Sequence, residues 1–390
     1  MNLSDFQVTW NFPTSIRFGP GRIRDLPAVC RELGMSRPLL VTDPGLAGLP
    51  MISGAVEANR AAGLPTAIYA QVHGNPLEAD VAGGVDVFRD GGHDGVIAFG
   101  GGSAMDTGKN IALMVGQTRP LMDFIDEGDN WTRVDAAGMA PVVAVPTTSG
   151  TGSEVGRSAV VTESATTRKR VIFHPGMLPA VVISDPELTL GLPADLTAWV
   201  GMDALSHCLE AYCAPMYHPM ADGIALEGMR LVARWLPRAV ADGGDVEARA
   251  HMLIAASMGA TAFQKGLGAM HAMSHPCSAH HGSHHGLTNA VVMPYVLNFN
   301  RPAIEDRMVD LARWLDLTPR SFAGVMDWVL ELRNQLAIPH ALSALKIGHG
   351  DVERLAIDAE ADPLTGLNPR PVAVDDYRAL YARALDGQLG

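Results

Sequence analysis

The sequence predicts an α/β domain followed by an all-α domain. The chain has 390 residues, which exceeds the size at which one hydrophobic core keeps growing, so two domains of roughly 150–200 residues are expected. Its first half alternates short apolar runs with helix-like stretches, whereas its second half carries long segments rich in Ala, Leu and Met. We place the α/β domain at residues 1–188 and the helical domain at residues 189–390.

Short apolar runs mark the predicted strands of the first half. They are 38–42 (PLLVT), 95–99 (GVIAF), 142–145 (VVAV) and 180–184 (AVVIS). Gly, Pro and Asp bound these runs, and their spacing leaves room for crossover helices, which favours a doubly wound parallel sheet. After Asp185, segments 196–212 and 221–241 have helical length and spacing without strand runs. The second half is therefore predicted to be helical.

The composition favours a compact, soluble globular protein. Hydrophobic residues make up 47% of the chain and the net charge is −13, so the surface is expected to repel nucleic acid and anionic membranes. No window offers the ~20 uninterrupted apolar residues of a membrane span, and the N-terminus lacks a signal-peptide pattern. Four scattered cysteines do not form a disulfide framework. We expect a cytoplasmic protein.

A glycine-rich turn follows the second apolar run. Gly100, Gly101, Gly102 and Ser103 stand between that run and a helix-like stretch that contains Asp106. Glycines at such a turn let backbone N–H groups approach a pyrophosphate, and the helix N-terminus adds partial positive charge. Because the pattern is neither GxGxxG nor a Walker loop, an ordinary tight turn is the alternative.

Two more turns strengthen the case for a nucleotide. Asp43 follows the first run, where its carboxylate could accept hydrogen bonds from an adenosine ribose and would repel a 2′-phosphate, which favours NAD over NADP. Its alternative role is to cap a helix or turn. Thr147 and Thr148 lie in the hydroxyl-rich stretch PTTSGTGSE, which could contact phosphate, ribose or carboxamide, or form only a capped loop.

Two helical pairs predict a metal site in the second half. Asp203 and His207 are four residues apart in a helical context, so their side chains share one face. His271 and His275 are also four apart, just before Pro276, which is predicted to end or kink that segment. Mixed carboxylate and imidazole ligands suit Fe²⁺, Zn²⁺, Mn²⁺ or Co²⁺. The alternative is that these histidines pack half-buried or cap helices.

A histidine-rich segment follows the second pair, and we predict that it forms a loop folded back over the helix. It contains His280, His281, His284 and His285.

The motifs GGGSAMDTGK, PTTSGTGSE, GMDALSHCLEAY and HAMSHP…HHGLTNAVVMP, in this order, resemble those of the iron-containing (group III) alcohol dehydrogenases. The resemblance extends from the opening FQVTWNFPTSIRFGPG, residues 6–21, to about residue 340. It implies a Rossmann-like N-terminal domain and a helical metal-binding domain, the fold shared with dehydroquinate synthase. It also implies NAD-dependent interconversion of a small alcohol and its aldehyde or ketone at one divalent ion, with Fe²⁺ expected and Zn²⁺ as the alternative.

The resemblance assigns roles residue by residue. The implied metal ligands are Asp203, His207, His271 and His285, with His281 and His284 as competitors for the fourth place. His275 matches a non-ligand histidine near the nicotinamide, with a proton-relay or substrate-orienting role. The residues implied to hold NAD are Asp43, Asn75, Gly100, Gly101, Gly102, Ser103, Asp106, Thr147, Thr148 and Lys169.

Other functions on the same fold stay open. They are a maleylacetate reductase, a lyase resembling dehydroquinate synthase, and a non-catalytic sensor of metal or nucleotide. The segment PCSAHHGSHH is richer in histidine than the corresponding stretch of many family members, and we expect residues 277–284 to help shape the substrate pocket. A β-like N-terminal segment and the family together predict a homodimer or larger homo-oligomer.

Overall fold

The computed structural model describes residue 12 and residues 14–389. The chain forms two compact units, one of Pro13–Leu192 and one of Pro193–Gly390 to which Phe12 also belongs, whereas we placed the boundary after residue 188. Residues 1–11 lie outside the described residues, so the opening segment is seen only in part. The homodimer expectation that depends on this segment stays a prediction.

The first unit contains a six-stranded sheet of order β1-β8-β5-β4-β2-β3, in which every pairing is parallel. A separate antiparallel hairpin pairs β6 with β7. The strands are β1 (Ser15–Phe18), β2 (Leu39–Val41), β3 (Ala67–Tyr69), β4 (Val96–Gly100), β5 (Val142–Pro146), β6 (Ser158–Thr162), β7 (Lys169–Phe173) and β8 (Val181–Ser184).

The sequence identified the inner strands and missed the edges of the sheet. The predicted runs become β2, β4, β5 and β8, all of them buried. Strands buried on both faces read as continuous apolar runs, which makes them visible in a sequence. The two edge strands β1 and β3 have only four and three residues and are partly exposed, so they carry no such run.

Helices connect the strands, and the one after β4 is held close to the sheet. They are α1 (Leu26–Glu32), α2 (Pro44–Ala47), α3 (Pro50–Ala61), α4 (Glu78–Asp90) and α5 (Gly102–Met114). A Cβ at Gly108 of α5 would lie 2.8 Å from the Cβ of Ala98. Glycine at this position therefore allows the α5 backbone to pack directly on β4.

The second unit is helical, as predicted. It contains α6 (Ala194–Cys213), α7 (Pro219–Ala241), α8 (Val246–Ala262), α9 (Ala269–His281), α10 (His285–Trp314), α11 (Phe322–Gln335), α12 (Val352–Glu360) and α13 (Val374–Asp386). Glycines bring α7 and α8 close to the buried helix α6. A Cβ at Gly228 would lie 2.6 Å from Cys208 Sγ, and one at Gly259 would lie 3.1 Å from His207 Cβ. Within the described chain, no helix is both long and apolar enough to cross a membrane.

The prediction of a histidine-rich loop was wrong. Helix α9 continues through Pro276 to His281, and α10 begins at His285, so only three residues connect them. Proline removes one helical hydrogen bond, but contacts hold α9 on both sides of it. Glu210 accepts the backbone N–H of Met270 in the first turn, and His280 pairs with a carboxylate of α12 in the last turn.

Candidate functional site

A carboxylate and two imidazoles meet inside the helical unit. Asp203 and His207 lie one turn apart on α6, and His271 lies in the first turn of α9. Their ligand atoms all lie within 4.8 Å of one another, and all three residues are buried. The rings of His207 and His271 stack with centroids 4.7 Å apart. An oxygen and two nitrogens at this separation are a donor set that suits a divalent transition metal ion.

His285, the first residue of α10, lies beside this group. Its Nε2 atom is 3.7 Å from Asp203 Oδ1, and its Nδ1 atom is 2.9 Å from the Ser274 hydroxyl. That hydroxyl also donates to the His285 carbonyl at 3.2 Å, so it is placed to accept from Nδ1–H. Nε2, on the side of the ring that faces the carboxylate, is then the acceptor nitrogen of the neutral imidazole.

His281 and His284, the alternatives to His285 as the fourth ligand, contact other residues. His281 Nε2 lies 3.4 Å from Asp351 Oδ1. His284 accepts the backbone N–H of Leu287 as the N-cap of α10, and its ring packs 5.1 Å from that of Trp199. Of the histidines in this segment, His285 is the one placed against Asp203.

Gly286 explains how α10 can begin so close to α6. A Cβ at this position would lie 2.4 Å from the carbonyl oxygen of Trp199 and 2.9 Å from the Cβ of Asp203. Both atoms belong to the α6 turn that carries the carboxylate. Only glycine therefore allows the N-terminus of α10 to bring His285 to the side of Asp203.

Asn289 contacts three of the candidate ligands, and the sequence analysis missed it. Its Nδ2 donates to Asp203 Oδ1 at 2.9 Å and lies 3.1 Å from His285 Nε2 and 3.3 Å from His271 Nε2. One nitrogen within reach of three acceptor atoms shows that these acceptors converge on one point. Its position four residues after His285 on a helix was the signal that could have found it.

A second carboxylate, Glu210 on α6, lies behind His271 and was also missed. Its Oε2 atom is 2.5 Å from His271 Nδ1, and its Oε1 accepts the backbone N–H of Met270 at 2.7 Å. Burial disfavours the imidazolium form, but the hydrogen bond and charge of Glu210, together with the charges of Asp203 and Asp362, outweigh it and raise the pKa of His271. The His271 imidazole is therefore held between the Glu210 carboxylate at Nδ1 and the other candidate metal ligands at Nε2.

His275 lies next to the ligands and is oriented by its own carboxylate. Its Nδ1 is 2.7 Å from Asp362 Oδ2, and its ring stacks on that of His285 with centroids 5.4 Å apart. Burial alone would raise the pKa of Asp362, but His275 and the backbone N–H of Leu364 more than compensate and lower it. Asp362 thus stays ionised and holds the Nδ1 edge of the His275 ring.

Several residues expected to shape a substrate pocket instead pack α9 against α12. His280 Nε2 lies 2.7 Å from Asp358 Oδ2, and His281 faces Asp351. Cys277 is buried, and burial raises the pKa of its thiol to about 12. Cys277, His280 and His281 therefore make contacts within the helical unit.

The predicted phosphate turn in the first unit has no space for side chains. Gly100 ends β4 with a φ of 150°, and a Cβ there would lie 2.7 Å from the Cβ of Ala104. A Cβ at Gly102 would lie 2.6 Å from Thr151 Cγ2. The backbone of this turn therefore leads directly into the N-terminus of α5, where the first N–H groups have no helical partner.

Other predicted nucleotide contacts surround the same turn. Thr147 donates its backbone N–H to the Gly100 carbonyl, and a Cβ at Gly101 would lie 3.3 Å from Thr148 Cγ2. The Ser103 hydroxyl donates to the carbonyl of Gly74, which precedes the half-buried Asn75. Lys169 is the first residue of β7.

Two residues predicted to bind the cofactor, Asp43 and Asp106, accept hydrogen bonds from groups of the protein itself. Asp43 accepts the backbone N–H groups of Gly45 and Leu46, so the alternative interpretation as a helix cap is observed. Asp106 Oδ1 accepts from the Ser153 hydroxyl at 2.6 Å, and its Oδ2 accepts the Val160 N–H at 2.9 Å. Both Asp106 oxygens accept hydrogen bonds that hold α5 against the segment before and within β6, and its role at the cofactor stays a prediction.

Comparison with known proteins identifies the family. The model of the iron-containing alcohol dehydrogenases matches residues 13–186, and the model of their C-terminal domain matches residues 197–385. Together these matches cover most of the chain, which therefore belongs to the iron-containing alcohol dehydrogenase family. The resemblance seen in the motifs is thereby confirmed, and membership indicates an oxidoreductase that acts on alcohols or aldehydes.

Curated relatives and solved structures agree with this assignment. A 4-hydroxybutyrate dehydrogenase of Cupriavidus necator is 38% identical and covers 95% of this chain and 98% of its own. An NAD-dependent methanol dehydrogenase of Bacillus methanolicus is 36% identical, covering 96% and 98%. A crystal structure of a 1,3-propanediol oxidoreductase has a TM-score of 0.90 at 33% identity, covering 97% and 100%. A maleylacetate reductase of Rhizobium sp. has a TM-score of 0.80 at 29% identity, covering 98% of each chain.

Proposed function

We propose that this chain is an NAD(H)-dependent dehydrogenase that interconverts a small alcohol and its aldehyde or ketone at one divalent metal ion. The observation that carries this proposal is the convergence of one carboxylate oxygen and imidazole nitrogens on a single buried point. Asp203, His207, His271 and His285 would hold the ion. This set of one oxygen and three nitrogens fits Fe²⁺ or Zn²⁺.

The ion, when bound, would supply Lewis acidity that favours the alkoxide form of an alcohol and polarises a carbonyl. The protein orients the groups that hold it. Asn289 donates to Asp203, and Ser274 fixes the ring of His285. The His285 side chain is 24% exposed, whereas those of Asp203 and His271 are 4% and 2% exposed. A substrate oxygen would therefore approach from the His285 side.

NAD is the proposed redox cofactor, and it would accept or supply the hydride. The compact turn at Gly100–Gly102 would hold the pyrophosphate against the N-terminus of α5. Asp43 adds negative charge close to this turn, since a Cβ at Gly100 would lie 3.5 Å from Asp43 Oδ2. This charge disfavours a 2′-phosphate. Asn75, Ser103, Thr147, Thr148 and Lys169 complete the proposed set, and a relative is named as NAD-dependent.

We expect that removing the metal abolishes alcohol oxidation reversibly. Anaerobically purified protein is assayed for NAD⁺ reduction over a panel of small alcohols, before and after treatment with a chelator. Because the ion supplies several kcal/mol of charge stabilisation, activity should fall by at least about 100-fold. Addition of Fe²⁺ or Zn²⁺ should restore it. Activity that is indifferent to metal removal would contradict the proposal.

The same experiment separates the alternative functions. A maleylacetate reductase would oxidise NADH with maleylacetate while leaving the alcohol panel untouched. A sensor would bind NAD and metal without turning over any alcohol or aldehyde. A lyase resembling dehydroquinate synthase would show no net change in NADH.

We propose that His275 orients substrate or passes a proton and does not bind the metal. Its Nδ1 already faces Asp362, so we expect His275→Ala to keep a full metal content while kcat falls about 100-fold. Metal analysis and steady-state kinetics check this result, with the exposed His349→Ala as the matched control. Loss of the metal in the His275 variant would make this residue a ligand instead.

A further inference from the structure

Glu210 is the buried side chain that determines how His271 can be used. It lies on α6 three residues after His207 and is 7% exposed. Both of its oxygens face the first turn of α9. Oε1 accepts the backbone N–H of Met270 at 2.7 Å, and Oε2 lies 2.5 Å from His271 Nδ1 and 3.4 Å from the His271 backbone N.

These contacts define which ring nitrogen of His271 carries the proton. An ionised carboxylate can only accept hydrogen bonds, so Nδ1 must donate to Oε2. In a neutral imidazole the other nitrogen then has a free lone pair. That nitrogen is Nε2, which lies 3.3 Å from Asn289 Nδ2 among the candidate ligand atoms. The hydrogen bond from Nδ1 to Glu210 therefore leaves Nε2 able to accept from Asn289 Nδ2.

We propose that Glu210 is a positioning residue that holds His271 in its Nδ1–H tautomer, so that Nε2 is available to a divalent cation. This inference rests on the proposed function, because it assigns His271 as a ligand. Ligating histidines commonly donate their other N–H group to a carboxylate, which fixes the ring and raises its basicity.

A carboxylate fits this position better than any neutral side chain of similar size. Glu210 Oε1 accepts the Met270 N–H, and Oε2 accepts the His271 Nδ1–H and also lies 3.4 Å from the His271 backbone N. Glutamine has the same shape but only one acceptor oxygen. Whichever way its amide is turned, its NH₂ group meets either the helix N–H or the imidazole N–H. In Glu210→Gln, His271 must therefore move its proton to Nε2, or α9 must lose a contact in its first turn.

The N-terminus of α9 has a second support that does not touch the His271 ring. Asn368 Oδ1 accepts the backbone N–H of Ala269 at 3.1 Å, and its amide pairs with Asn300. Asn368→Ala therefore weakens the same helix end without changing the hydrogen bond to Nδ1. It is the matched control that separates a purely structural effect from an effect on the tautomer.

The first measurement is zinc affinity by competition with a chelator. Glu210→Gln should bind Zn²⁺ about 10- to 100-fold more weakly than the unmodified protein, while Asn368→Ala should stay within about threefold of it, since the ligand itself is unchanged. Equal losses in the two variants, or a Glu210→Gln variant with unchanged affinity, would overturn the proposal.

The second measurement is independent of metal binding. Protein labelled with ¹⁵N-histidine is examined by NMR without metal at alkaline pH, and the His271 signals are identified by their absence in His271→Ala. We expect the proton on Nδ1 in the unmodified protein and a shift towards Nε2 in Glu210→Gln. If both proteins show the same tautomer, the role of Glu210 is rejected. If the unmodified protein binds no metal, the proposed function fails while this spectrum still decides the tautomer.

Discussion

Replacing Asp203 by Asn is expected to remove the metal ion while leaving the helical unit folded. Asparagine has the same shape, and its carbonyl oxygen can still accept the hydrogen bond from Asn289 that Asp203 Oδ1 accepts at 2.9 Å. It lacks the negative charge that makes the carboxylate a ligand for a divalent cation. We expect kcat/KM for the best alcohol to fall about 1000-fold, which corresponds to the loss of roughly 4 kcal/mol of transition-state stabilisation.

The control is Asp195→Asn, which changes an exposed carboxylate in the first turn of the same helix. This variant should keep its metal and its activity. Metal content, the melting temperature and kcat/KM are measured together. Asp203→Asn protein that folds, retains one equivalent of metal and remains active would show that the carboxylate is not a ligand.

Gly286→Ala is expected to damage both stability and the metal site. The new Cβ would lie 2.4 Å from the Trp199 carbonyl oxygen, a backbone atom that cannot move unless the α6 turn moves with it. Overpacking of this kind costs about 1–3 kcal/mol, which lowers the melting temperature of a domain of this size by about 2–12 °C. Because relief of the clash separates His285 from Asp203, kcat/KM should also fall about 1000-fold.

Gly223→Ala provides a control that is expected to change the stability in the opposite direction. Gly223 is an exposed helical glycine of α7, and apart from its chain neighbours and the adjacent helix backbone, no heavy atom of the described chain lies within 4 Å of a Cβ placed there. Alanine should stabilise the helix by about 0.5–1 kcal/mol and leave activity unchanged. Differential scanning calorimetry and the alcohol assay check both variants. If Gly286→Ala behaves like Gly223→Ala, the close approach of α10 to α6 is not needed.

Local periodicity explains what the sequence predicted. Asp203 and His207 are neighbours because a helix brings residues four apart onto one face, and the buried strands are visible as apolar runs. Neither inference needed knowledge of the tertiary fold.

The residues that were missed depend on contacts between distant segments. Glu210 faces a histidine 61 residues further along the chain, so no spacing rule pairs them. Asn289 carries an amide, which is not one of the carboxylate and imidazole groups predicted as ligands for the site. The sequence also suggested a loop after Pro276, because local propensity favours a helix end there. The contacts of α9 with Glu210 and Asp358 are tertiary and override that propensity.

The buried thiols have a practical consequence for following the dynamics of this protein. Cys30 lies in the α/β unit, and Cys208, Cys213 and Cys277 lie in the helical unit; all four are free and buried, with thiol pKa values raised to about 12. At neutral pH these thiols are therefore almost entirely protonated and unreactive. Alkylation must therefore wait for a unit to open. The labelling rate of each cysteine would report the opening frequency of its own unit, without any introduced probe.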